Sequence, residues 1–156
     1  MYIENTIVVR GDWPTVWELS SDIAKWPERL PHYRKVIIQS TSPGGQIKHA
    51  YMSCWRDFFP VSWHTIQRLE FSPDPAAARV FYNHVKGVTK GMEVIWKFEP
   101  LEDGVYRVTI SHDWNPRWPL IGKLASRLIS LNIVHNIADK TLKQVKLLAA
   151  TEPVTV

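Results

Sequence analysis

The chain has 156 residues, enough for one cored domain and too short for two comfortable ones. Its net charge of +4 is mild, and a single cysteine, Cys54, excludes an internal disulfide and any Cys-x-x-Cys metal or redox site. No run of about 18 apolar residues occurs, and the N-terminus lacks a basic start followed by an apolar core, so a soluble, cytoplasmic chain without a secretory signal is expected. Eight tryptophans are many for this length and point to a large aromatic core or an aromatic-lined cavity.

In chain order, Tyr2 to Arg10 alternates as a strand, with Asn5 on the face of Ile3, Ile7 and Val9. Asp12-Trp13-Pro14 opens a short helix to about Ser20, and Ser21-Asp22 can cap a second one that Pro27 and Pro31 limit. Tyr33 to Thr41 and Ile47 to Arg56 read as strands joined by the turn Ser42-Pro43-Gly44-Gly45. Pro60 breaks the next connection before the strand Val61 to Phe71. Arg79 to Lys86, Met92 to Glu99 and Val105 to Trp114 complete the strands, with turns at Gly87 to Gly91 and Glu102-Asp103-Gly104. Alternation turns Met92, Val94, Trp96 and Phe98 inward on one strand, and Val108, Ile110, His112 and Trp114 on the next. Val61, Trp63, Thr65, Gln67, Leu69 and Phe71 share the inner face of the Val61 strand.

From Pro119 to Ala150 the period becomes helical: Leu124, Leu128, Leu131, His135, Ala138, Leu142, Val145 and Ala149 form one stripe. Such a helix would be about 45 Å long. Lys123, Arg127, Lys140, Lys143 and Lys146 lie on it and read first as a solvated face, so no nucleic-acid partner is expected. The order is thus one strand, two short helices, six strands and a long helix, in one domain with its core at about residues 3–150.

This order, with Val16-Trp17, Ser21-Asp22-Ile23, Trp26-Pro27, Tyr33, Gly91-Met92, Trp96-Lys97-Phe98-Glu99-Pro100 and His112-Asp113, resembles the START-like or SRPBCC superfamily. Within it the chain is similar to the polyketide cyclase/dehydrase branch and to coenzyme Q-binding proteins. The resemblance implies an α+β helix-grip fold: a curved seven-stranded antiparallel sheet around a long C-terminal helix, two short helices after the first strand, and a deep cavity between. Aromatase/cyclases of this kind line the pocket with a Trp after the second helix, a Tyr opening the next strand and Trp residues on the middle strands. Trp26, Tyr33, Trp63 and Trp96 match that pattern, and Met92 precedes Trp96 at the family spacing. The family's pocket Arg is replaced by Gln67, whose amide can hold a carbonyl but cannot counter an enolate with charge.

The expected ligand contacts are Trp26, Trp63, Gln67, Met92, Trp96, Trp114, Leu128 and His135; the candidate catalytic groups are His112, Tyr33 and Arg56. Each also has a plainer reading. His112 is a general acid–base or a satisfied core histidine; His135 is cavity wall or packing; Tyr33 is pocket donor or packing; Arg56 is a pocket cation or the ion-pair partner of Asp57. Gly87 to Gly91 and Phe58-Phe59-Pro60 are either gating loops or ordinary turns. No metal-ligand spacing and no phosphate loop occur, so neither metal nor cofactor is expected. Three functions fit: binding of a hydrophobic, ring-containing small molecule such as a polyketide, quinone or lipid; a cyclase/aromatase-type enzyme using His112, Tyr33 and Arg56; or a ribosome- or protein-interaction module.

Overall fold

In a computed structural model, which describes residues 1–116, 124 and 130–151, the strands are β1 (Tyr2–Arg10), β2 (Tyr33–Thr41), β3 (Ile47–Arg56), β4 (Phe59–Glu70), β5 (Arg79–Gly87), β6 (Glu93–Glu102) and β7 (Val105–Asp113). They form one antiparallel sheet in the order β1-β7-β6-β5-β4-β3-β2. Every neighbour from β2 to β7 is a sequential hairpin, and β1 returns beside β7. The helices are α1 (Trp13–Ser21), α2 (Trp26–Arg29) after a 3₁₀ turn at Ile23–Lys25, and α3 (His135–Thr151), which follows a π-helical turn at Ser130–Val134. The sheet curves around α3, which packs on β1, β3 and α1. This is the α+β helix-grip architecture.

Local chemistry explains the small elements. Asp12 caps α1 by accepting from the Thr15 amide, and Pro14 occupies the first turn, where no N–H is needed. Trp13, Val16 and Leu19 then fall on one buried face. Trp13 meets Phe98 and Tyr106 at ring separations of 5.0 and 5.6 Å, closing the end of the sheet near the β6–β7 turn. Pro27 opens α2 rather than limiting a helix begun at Ser21-Asp22, since it too sits in a first turn. Pro60 likewise lies within β4, opposite Trp55, instead of breaking the chain before it. The Trp55 amide points to the His32 carbonyl on its other side, so this pair exchanges no ladder bonds with β4. The missing proline N–H therefore costs the sheet nothing.

The C-terminal helix differs from the single stripe of the sequence. Val134, Ala138, Thr141, Leu142, Val145 and Ala149 are buried, whereas Leu124 is 71% exposed and His135 is exposed. At 3.6 residues per turn Val134, four residues before Ala138, shares the face of Thr141 and Val145, and His135 falls at that face's edge. Leu128 and Pro119 lie outside the described residues. Phe71, placed inward by alternation, is also exposed, because β4 ends at Glu70.

Leu142→Ala, at a fully packed position on α3, should cost about 2–5 kcal/mol in urea unfolding, while Leu124→Ala should stay within about 0.5 kcal/mol. Equal losses at both would contradict the burial of Leu142 and the exposure of Leu124.

Candidate functional site

One helix cannot fill the concave face of seven strands, and a cavity remains between α3 and the middle of the sheet. It holds about 650 Å³ of space between its walls, part of it open to solvent. The sheet supplies Met52, Val61, Trp63, Tyr82, His84, Val94, Trp96, Ile110 and His112, all on the inner face by strand alternation. The helix side supplies Ile133, Val134, Ile137, Ala138 and Thr141; Trp26 and Tyr33 complete the wall, and Val88, Thr89 and Met92 come from the β5–β6 loop. Trp26 is fixed by its indole N–H, which donates to the Leu19 carbonyl at 2.9 Å, and its ring lies 5.9 Å from Trp96 and 4.8 Å from Tyr33. Thr141 gives its hydroxyl proton to the Ile137 carbonyl, so the 2.8 Å contact from His32 Nε2 must be donated by the imidazole. That bond ties α3 to the entry of β2.

The polar groups in this wall are few and neutral. The His84 ring stacks on Trp63 at 5.4 Å and an interplanar angle of 12°, and its Nδ1 lies 2.6 Å from Thr89 Oγ1. Burial, then the nearby His112, pushes the His84 pKa down to about 3. Burial, then His135, pushes His112 down to about 4. Burial raises the hydroxyl pKa of both Tyr33 and Tyr82. At neutral pH the imidazoles are therefore unprotonated and the phenols protonated. His112 Nδ1 is buried without a hydrogen-bond partner among the described residues, an unmet polar atom on an apolar wall.

Of the residues singled out in the sequence, Trp26, Tyr33, Trp63, Met92, Trp96 and His112 are brought together around the cavity. Gln67 is fully buried behind the wall, its amide donating to the Ser21 carbonyl at 2.8 Å and to the Tyr82 hydroxyl at 3.0 Å. These bonds fasten α1 to the sheet; Gln67 Oε1 has no partner among the described residues, and Gln67 is not among the lining residues. Trp114 is buried beside the cavity end, with its indole N–H donating to the Lys90 carbonyl at 3.0 Å, and so steadies the β5–β6 loop. His135 is exposed and accepts from the Asn5 amide at 2.9 Å. Arg56 is half-buried at the hairpin end of β3, opposite Phe59, and is not among the lining residues. Leu128 lies outside the described residues. No cluster of three metal-ligating side chains occurs among the described residues. Sequence reasoning misses His84 and Tyr82. Both alternate with Val80 on β5, a strand whose inner face the period-two rule could have assigned.

Residues 12–141 match the family described as polyketide cyclase / dehydrase and lipid transport. The chain belongs to that family. Comparison with curated proteins finds no match. Among solved structures, the chain is similar to the TTHA0849 protein of Thermus thermophilus, with a TM-score of 0.77 and 17% identity over 97% of this chain and 100% of that one. It is similar to the Zhui aromatase/cyclase of Streptomyces sp. R1128, with a TM-score of 0.72 and 16% identity over 99% of each chain. It is also similar to a START superfamily protein of Mycobacterium smegmatis, with a TM-score of 0.68 and 16% identity over 94% of this chain and 98% of that one. At such identities the shared property is the fold.

The buried histidines make stability depend on pH. Their folded pKa values, about 3 for His84 and about 4 for His32 and His112, lie below the 6.5 of a free imidazole. As pH falls below 6.5 the unfolded chain takes up protons that the folded chain refuses, so stability is lost progressively toward pH 4. The urea midpoint should fall across that window, and His84→Asn should flatten the decline. An unchanged pH slope in that variant would contradict the assignment.

Proposed function

We propose that the protein binds a neutral, hydrophobic, ring-containing small molecule, of the polyketide, quinone or lipid kind, in the cavity between α3 and the sheet. The observation that carries this reading is the uncharged wall: no Lys, Arg, Asp or Glu is among the described lining residues, and the lining histidines are unprotonated at neutral pH. Trp26, Trp63 and Trp96 offer flat apolar faces, and Met92 and Met52 offer soft, adaptable contact. A charged ligand would lose its hydration here and find no counter-ion.

Calorimetric titration with 2-naphthol and with 2-naphthoate, which share a ring system and differ in charge, tests the reading. The naphthol should bind at least about tenfold more tightly, since burying an unpaired carboxylate is costly. Trp63→Ala should weaken naphthol binding at least about tenfold through lost ring contact. Equal affinity for naphthoate, or wild-type affinity in Trp63→Ala, would refute it.

A second reading, a cyclase-type enzyme, is favoured by the unpartnered His112 Nδ1, which could exchange a proton with a bound carbonyl compound. It lacks a cation for an incipient enolate, because Gln67 stands in the family's Arg position and faces Ser21 and Tyr82. For a carrier, His112→Asn should weaken binding by about tenfold at most, the loss of one neutral hydrogen bond. Product formation from a poly-ketone chain by the wild type, reduced about 10²–10⁴-fold in His112→Asn while binding persists, would establish the enzyme instead.

A further inference from the structure

The β3–β4 hairpin is not absorbed by the cavity and is unusual in what it exposes. Its turn is Asp57–Phe58, with Asp57 at φ 51°, and Arg56 pairs with Phe59 across it. Phe58 is 90% exposed, Phe59 72% and Trp55 41%. The last β4–β5 pair is Trp63 with Gly87, and the last β2–β3 pair is Tyr33 with Cys54. The ribbon therefore projects past both neighbours, by about 13 Å beyond β5 at 3.3 Å per residue. It stands at the cavity's mouth: Val61, two residues from Phe59, lines the cavity, and Val88 of the adjoining loop both lines it and is exposed.

Cations share this end of the sheet with the apolar tip. The Arg34 guanidinium lies 5.1 Å over the Trp55 ring, Arg56 is on the hairpin itself, and Lys86 and Lys90 sit at the same end, on the last residues of β5 and in the β5–β6 loop. None of the four has a carboxylate partner among the ion pairs of the described residues. Against them stand Asp57 in the turn and, two and three strands away, the carboxylates of Glu93 and Asp113, which face each other across β6 and β7. We propose that the β3–β4 hairpin tip, led by Phe58 and Phe59 with Arg34, Arg56, Lys86 and Lys90 behind it at the same end of the sheet, docks the cavity mouth onto an anionic lipid bilayer. Aromatic side chains on a thin convex ribbon suit insertion at the headgroup level, with the cations meeting lipid phosphates. A second copy of the chain fits less well. Two phenylalanines bury roughly 300–500 Å² between them, well below the roughly 800 Å² per partner of a stable interface.

The test is flotation of the full chain with vesicles of phosphatidylcholine, alone or with a third phosphatidylglycerol. The wild type should float with the anionic vesicles and be released by high salt. Phe58→Ser/Phe59→Ser and Lys86→Glu/Lys90→Glu should each weaken this at least about tenfold, with the thermal midpoint and 2-naphthol affinity of the phenylalanine variant unchanged. Three results would overturn the proposal. One is a wild type that floats with neither vesicle, and another is a phenylalanine variant that floats like the wild type. The third is a wild-type dimer in sedimentation that the phenylalanine substitutions dissociate while vesicles stay unbound.

Discussion

The structure depends on a mismatch of widths. Seven strands at about 4.8 Å spacing make a sheet about 29 Å across, while one helix with its side chains covers about 10–12 Å. Curvature brings the edges toward α3 but cannot close the gap. At one end α1 fills it with Trp13, Val16 and Leu19, held by Gln67 on the Ser21 carbonyl. At the other no described element is inserted, and the space is walled by side chains that include three tryptophans. The tryptophans hold the walls apart: Trp26 is anchored on Leu19, and Trp63 is backed by the stacked His84 ring. Cavity and fold are thus products of the same packing.

The cavity's electrostatics follow from that burial. Desolvation keeps His84 and His112 unprotonated and the Tyr33 and Tyr82 hydroxyls protonated. The wall can therefore offer hydrogen bonds without offering charge, a chemistry that favours neutral ligands. Gln67 fits this scheme: where a relative of cyclase type is expected to hold a cation, this chain holds a neutral amide whose nitrogen is committed to two structural bonds.

Much of this is legible in the sequence because strands advertise their faces every second residue. Met92, Val94, Trp96 and Phe98 are buried as alternation requires, and Trp26, Tyr33, Trp63 and His112, all candidates by sequence, meet at one cavity. Three things are not legible. A stripe of every third or fourth residue does not locate the centre of the buried face, and His135 lies at its edge and is exposed while Val134 is buried. Whether a buried polar residue faces a void or a partner depends on residues distant in the chain, which is why sequence alone makes Gln67 a ligand contact and passes over His84. Pro60 looks like a break because its neutrality depends on where the Trp55 amide points.

The central claim is that a neutral ring compound occupies the space between α3 and the sheet, and the indole N–H signals of the eight tryptophans report on it directly. In a ¹H–¹⁵N spectrum assigned by single substitutions, adding 2-naphthol should shift Trp26, Trp63 and Trp96, which line the cavity, and leave the exposed Trp55 in place. Movement of Trp55 alone, or of no indole at saturating naphthol, would contradict the account.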